Sequence, residues 1–325
     1  MLSPAQIDQL HRDGFLVIRN VFQGRELDAL RRAADAVMQE GISRQGEHHL
    51  YYDMPDGSQR YFRSEFMWER APVFRAATVH PDLLAMIGQC TGEPFLPIND
   101  SFVCKSPHSD VPIRWHQDPP CSDPKVDHTH PVPNFDTDIY LDHSTLANGC
   151  VWGIPGHHLV GHVDLQPYTQ EQLFQDFGAV PLEMAPGDVL FHCLSAPHGS
   201  IANRTPTTRR IFYVHYMARD IFTDCYGHWM SKDPRQRGWH ESWLAQVQCM
   251  LETRRQLGYE ADLDAARVAW LPGQGFDFTG QPKTPARYWG ELIARISPAE
   301  RAARKRLSPP ATASLSASGT SASRT

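Results

Sequence analysis

The rhythm of apolar and polar positions changes near residue 92 and again near residue 218. Ahead of Gly92 the spacing is mainly helical. Ser3 suits an N-cap, Pro4 the first helical position and Gln6 a capping box, and Gly14 stops this short helix. Phe15 to Val21 reads as a strand. From Arg25 to Glu40, Leu27, Leu30, Ala34, Val37 and Met38 recur at helical intervals, and Gly41 closes the run. Residues 42–63 are polar, with adjacent His48 and His49 and a Pro55-Asp56-Gly57 turn, and are expected to form a surface loop. Two more helical stretches cover 64–77 and 81–90.

Beyond Gly92 short apolar or alternating runs are separated by Pro, Gly and Asn turns, at 95–104, 111–118, 135–142, 149–154, 179–184, 188–193 and 209–217. Many short strands with turn signals between them predict a β-sandwich or barrel. Residues 119–134 carry five prolines and read as a long loop, either a lid or a plain surface excursion. After Ala218 helical spacing returns at 238–257 and 286–307. Residues 308–325 are almost entirely Ser, Ala, Thr and Pro, so a disordered tail is expected.

Composition narrows the class of protein. The 325 residues carry 31 Lys+Arg against 37 Asp+Glu, a formal net charge of −6 that gives no electrostatic case for nucleic acid or an anionic membrane. Seven scattered cysteines without a Cys-x-x-Cys pair, no leader-like start and no membrane-length apolar run point to free thiols in the cytoplasm. The sequence carries no sign of its oligomeric state.

Candidate chemistry concentrates in the strand-rich part. His116 and Asp118 are two residues apart, so on a strand both point to one face. A second imidazole from a distant strand, His198 of Pro197-His198-Gly199-Ser200, would complete two histidines and one carboxylate, the ligand set of non-heme Fe(II) oxygenases. Among 17 histidines a His-x-Asp triplet alone arises easily by chance. Its surroundings decide the matter.

Four motifs in order supply those surroundings. They are Trp115-His116-Gln117-Asp118, the Asn148-Gly149 turn running to Pro155-Gly156-His157-His158, Pro186-Gly187-Asp188 with its strand to His192, and His198-Gly199-Ser200 running on to Arg209-Arg210. In these the chain resembles the phytanoyl-CoA dioxygenase family of Fe(II)/2-oxoglutarate-dependent oxygenases, closely over 95–217 and more loosely at Asp13-Gly14-Phe15. The family's Pro-Gly-Ser-His turn reads Pro155-Gly156-His157-His158 here.

The resemblance implies an α+β fold with a double-stranded β-helix (jelly-roll, cupin-like) core at 95–217. Helical flanks at 1–94 and 218–307 would complete a single domain of residues 1–307. It implies His116, Asp118 and His198 as iron ligands. It also implies 2-oxoglutarate as cosubstrate with O₂, and hydroxylation of an unactivated C–H bond of a small molecule with release of succinate and CO₂. Ring closure, desaturation and epimerisation belong to the same chemistry; an intact Asp118 argues against halogenation. Arg209, eleven residues after His198 where the family carries its cosubstrate arginine, would hold the distal carboxylate bidentately. Arg210, on the opposite face, is assigned to structural pairing. Ser200, Lys105 and Asn99 are further cosubstrate candidates. Trp115, Trp152, Tyr140 and Phe191 are read as pocket lining or core, and His157, His158, His162, His192 and His215 as packing or pocket residues rather than ligands. Two other classes compete: a cupin-type metal enzyme without 2-oxoglutarate, and a non-catalytic barrel that binds a ligand or protein.

Overall fold

Two antiparallel sheets enclose a cavity of about 330 Å³. They are seen in a computed structural model that describes residues 1–91, 94–118, 134–219, 234–280 and 291–307. The strands are β1 (Phe15–Ile18), β2 (His49–Asp53), β3 (Gln59–Glu65), β4 (Phe95–Lys105), β5 (Ile113–His116), β6 (Asn134–Tyr140), β7 (Val151–Gly153), β8 (Val180–Leu182), β9 (Val189–Cys193), β10 (His198–Ser200), β11 (Arg209–Ala218), β12 (Val268–Leu271) and β13 (Gly275–Phe278). The larger sheet has the order β1-β9-β6-β11-β4-β13-β12, and the β2–β3 hairpin joins it through β4; the smaller runs β5-β10-β7-β8. This is the curled jelly-roll expected from the sequence.

Strand β11 shows why its sequence reads as unbroken apolar character: both of its faces are covered. Phe212, Val214 and Tyr216 point outward into the main core, where Phe74 packs on Phe212 at 5.0 Å between ring centroids. Tyr213 and His215, on the other face, line the cavity. Alternation puts Arg209 on the cavity side and Arg210 outside. There Arg210 forms a two-pronged pair with Asp142 at 2.7 and 2.8 Å and also meets Asp35, the structural role expected of it.

The outer face is covered by helices α1 (Pro4–Asp13), α2 (Gly24–Ile42), α3 (Met67–Arg70), α4 (Pro72–Thr78) and α5 (Pro81–Thr91). A short α6 (Gln170–Gln175) lies beside the smaller sheet, and α7 (Pro234–Gln256) and α8 (Pro298–Lys305) come later in the chain. Ser3 and Gln6 form the capping box that starts α1, and Gly14 caps its end. One apolar cluster runs from Leu2 to Phe278 and ties the N-terminal helices, the sheet and α7 together.

Several sequence expectations need correction. Residues 42–63 hold the β2–β3 hairpin rather than a loop, with Tyr51 opposite Tyr61 and Tyr52 stacked on Phe62 at 3.8 Å. Its signal was hidden because charged and polar residues interrupt the alternation of Tyr51 and Tyr61, which face the core, with Tyr52 and Phe62, which face the cavity. The helix expected over 64–77 gives its first residues to β3 and breaks at Ala71, ahead of Pro72, as the residue before a proline tends to. The flanks are not purely helical, since β1, β12 and β13 complete the larger sheet. Within 286–307 the named helix is only Pro298–Lys305. The expected loop at 119–134 lies outside the described residues except for Asn134, which opens β6, and so does the 308–325 tail.

Candidate metal centre

His116 ends β5 and His198 opens β10, and the two are directly opposed partners in the antiparallel register. Their rings therefore lie 4.2 Å apart, centroid to centroid. Asp118 sits just past the end of β5, held by its backbone N–H donating to the Leu194 carbonyl at 2.9 Å. Gln117, between the two ligand candidates, points the other way. Its amide donates to the Gly161 and Ser195 carbonyls at 2.9 and 2.6 Å and accepts from the Val163 N–H at 2.7 Å. That buried clamp fixes the segment so that His116 and Asp118 reach the same cavity.

Asp118 meets both histidines: Oδ1 is 3.6 Å from His116 Nε2 and Oδ2 is 3.6 Å from His198 Nε2. Each imidazole turns Nδ1 toward the carbonyl two residues upstream, Arg114 at 2.7 Å and Ala196 at 3.0 Å. Donation from Nδ1 puts the proton there and leaves the Nε2 lone pair facing Asp118, the tautomer a metal ligand needs. Burial, with His116 beside it, holds His198 down to about 3, so its ring is neutral. Burial alone would raise Asp118, but His198, His192 and His116 outweigh it and hold the carboxyl well below the usual range. Two imidazoles with Nδ1 bonded to a carbonyl and Nε2 facing Asp118, together with an ionised carboxylate, fit a divalent iron.

Sequence reasoning missed what lies behind this triad. His192, on β9, brings Nε2 to 3.4 Å from Asp118 Oδ2 and Nδ1 to 3.2 Å from Asp138 Oδ1. A ring whose two nitrogens both face carboxylates carries both protons. Burial opposes that charge, but Asp138 and Asp118 prevail and raise the His192 pKa well above its ordinary value. Asp136 also lies close enough to group with Asp118 and His192, and burial pushes its carboxyl up to about 8. With both nitrogens committed to carboxylates, His192 orients Asp118 rather than joining a second metal set. The available signal was Asp136-x-Asp138 on a strand, two acids aimed into one interior.

At the far end of the β11 face, Arg209 is fully buried. Its Nη1 donates to the Gly149 carbonyl at 2.8 Å, while Nε and Nη2 have no hydrogen-bond partner. Gly149 is needed there: its φ is +78°, and a Cβ would stand 2.3 Å from the Ile201 carbonyl oxygen. Lys105 is the register partner of Arg209 across β4 and β11, and its ammonium donates to the Ile201 carbonyl. Burial and then Arg209 lower the Lys105 pKa to about 6. Ser200 lines the cavity with its buried hydroxyl unpartnered, and the buried Tyr140 hydroxyl is likewise unpartnered within reach of the Arg209 charge. Asn99 is different. It lines the cavity opposite His215, six residues along β4 from Lys105, about 20 Å at 3.3 Å per residue.

The other candidates divide. His215 lines the cavity, whereas His157 bonds the Pro155 carbonyl and His158 packs over Gly14. His157, His158 and His162 are not among the cavity-lining residues. Trp115 and Trp152 pack on Phe174 at 5.0 and 5.5 Å, and Phe191 belongs to the main core; none of these three lines the cavity. The aromatic wall comes instead from Tyr52, Phe62 and Phe66 around the β2–β3 hairpin.

Comparison with known proteins agrees with this architecture. The chain is 25% identical over 219 residues to methylphosphonate hydroxylase of Gimesia maris, covering 67% of this chain and 81% of that one. It superposes on the non-heme alpha-ketoglutarate-dependent carbocyclase SnoK from nogalamycin biosynthesis with a TM-score of 0.53 and 20% identity, over 67% of this chain and 84% of that one. It also matches EctD from S. alaskensis in a structure with 2-oxoglutarate and 5-hydroxyectoine, with a TM-score of 0.54 and 21% identity over 67% and 77% of the two chains. EctD has also been solved with bound Fe. The phytanoyl-CoA dioxygenase (PhyH) family model matches residues 10–211, more than half of the chain, and the chain belongs to that family.

Proposed function

We propose that this chain is an Fe(II)- and 2-oxoglutarate-dependent oxygenase that hydroxylates a C–H bond of a small molecule. The observation that carries the reading is Arg209. A fully buried guanidinium with one carbonyl partner and two unpaired N–H edges is a costly arrangement unless an anion completes it. It shares a strand face with Tyr213 and His215, which line the cavity that also holds the triad. A five-carbon dicarboxylate with one end at the metal and the other at Arg209 satisfies both.

In this reading His116, Asp118 and His198 hold the iron. Arg209 and Ser200 hold the distal carboxylate, with Lys105 and Tyr140 beside them; Asn99, about 20 Å along β4 from Lys105, lines the cavity away from that carboxylate. His192 keeps Asp118 turned toward the metal. Bound iron with 2-oxoglutarate and O₂ supplies the oxidising power: one oxygen atom enters the substrate C–H bond and the other leaves in succinate, with CO₂. The protein's share is orientation: three side chains on fixed backbone would hold the iron, and the cavity beside them would position the reactants. Buried thiols at Cys90, Cys104, Cys150 and Cys193 suit a reducing compartment such as the cytoplasm. Among the described residues, no helix is long and apolar enough to cross a membrane.

The test is succinate formation from 2-oxoglutarate on adding Fe(II) to the metal-free protein. Wild type should produce succinate, and His116→Ala, Asp118→Ala and His198→Ala should each abolish it while keeping the circular dichroism of the folded chain. A triad variant with full iron content and wild-type turnover would remove that residue from the ligand set.

A further inference from the structure

Among the described residues Arg63 is the arginine that lines the cavity, and no role above uses it. Arg63 lies on β3 opposite Val103 of β4 and lines the cavity wall. Its Nε is buried without a hydrogen-bond partner. Its one ion pair among the described residues, Nη2 to Glu65 Oε1 at 3.2 Å, joins two side chains that are each more than a third exposed, so it holds the guanidinium weakly. The charge of Arg63 reaches Asp136, Tyr213 and Tyr52, so it faces the interior from the hairpin side.

Four acids among the described residues line the cavity, and apart from the exposed Glu65 pair each has other partners nearby. Asp118 belongs to the triad, Asp136 groups with Asp118 and His192, and Asp100 accepts the backbone N–H groups of Met67 and Trp68 at 2.9 and 2.8 Å. Beside Arg63 the stacked pair Tyr52–Phe62, with Phe66, offers an apolar aromatic wall. A cation with an unused donor edge next to a flat apolar surface matches a small molecule with an oxyanion at one end and a carbon body to be oxidised.

Building on the oxygenase reading, we propose that Arg63 is the substrate anchor. The substrate class is then a small carboxylate, phosphonate or phosphate whose oxyanion docks on Arg63, with its carbon chain lying along Tyr52 and Phe62 toward the triad. The cavity of about 330 Å³ admits such a molecule whole. Arg63 and Arg209 then divide the labour, one holding the primary substrate and the other the cosubstrate.

The experiment is calorimetric titration, without oxygen, of the Fe(II) and 2-oxoglutarate-loaded protein. The probes are phenylacetate, phenylphosphonate and the neutral phenylacetamide, and the iron-to-cosubstrate charge-transfer band is followed so that displaced 2-oxoglutarate is seen. At least one acid should bind about tenfold or more tightly than the amide. The acid preferred shows whether the carboxylate or the tetrahedral oxyanion is the better fit. Arg63→Ala should lose that preference while giving the same charge-transfer band and leaving amide binding unchanged, and Arg63→Lys should restore part of it. Equal binding of acids and amide, undiminished acid binding by Arg63→Ala, or acids that only displace 2-oxoglutarate would overturn the proposal. If wild type forms no charge-transfer band, the oxygenase reading falls. The comparison of acids between metal-free wild type and Arg63→Ala then still decides the role of Arg63.

Discussion

Lys105 and Arg209 are buried register partners across neighbouring strands, and the charge of Arg209 bears on how Lys105 titrates. Burial and Arg209 hold the Lys105 pKa at about 6 in the folded chain, against an ordinary value of 10.5. Between those values the unfolded chain binds the extra proton, so this residue makes stability rise with pH across that window; below pH 6 the charged amine is buried at full cost. A carboxylate placed beside it reverses the preference. Binding of 2-oxoglutarate above pH 6 should therefore take up a proton, and affinity should fall as pH rises. Calorimetry of 2-oxoglutarate binding at pH 8, in two buffers of different ionisation enthalpy, should show net uptake in wild type and none in Lys105→Met. Equal uptake in both would exclude Lys105. At this scale the sequence made His116, Asp118, His198 and Arg209 legible, because each sits in a motif with fixed spacing. It left Asp136, Asp138 and His192 obscure, because their meeting depends on the β6–β9 register, which no local pattern encodes.

Helices α2 and α7 are joined by a buried pair, in which Arg254 Nη1 and Nη2 lie 2.5 and 3.2 Å from the two oxygens of Glu26. Both side chains are close to fully enclosed, so removing one leaves the other charge stranded. Glu26→Ala should lower stability by roughly 3–5 kcal/mol in urea unfolding, without moving the metal site. A change below about 1 kcal/mol, as for a surface pair, would show that α7 is not fastened there. Elements with apolar periodicity, such as α2, α5, β4 and β11, could be read directly from the chain. The β2–β3 hairpin could not: its cross-strand pairs Tyr51–Tyr61 and Tyr52–Phe62 stabilise it only once both strands are aligned, and a list of polar residues hides them. That hairpin supplies both the aromatic wall and Arg63, so the element least visible in the sequence carries the substrate side of the site.

Across the whole molecule, the two sheets divide the work. The smaller sheet contributes His116 and His198, and β6, β9 and β11 of the larger one contribute Asp138, His192 and Arg209. The cavity between them is where metal and cosubstrate must meet, and we read residues 1–307 as one unit built around it. The fold class was legible because turn-punctuated strands and four ordered motifs span both sheets; β12 and β13 were not, since they are short and follow a helical stretch. The central claim is that iron at the triad and a carboxylate at Arg209 hold one cosubstrate between them. Anaerobic titration of the Fe(II) protein with 2-oxoglutarate, followed through the charge-transfer band, tests it most directly. Wild type should saturate, and Arg210→Ala should have the same apparent affinity. Arg209→Ala should retain iron yet need roughly a hundredfold more 2-oxoglutarate, as expected when a buried charged pair loses one partner. An Arg209→Ala protein that titrates like wild type would contradict the account.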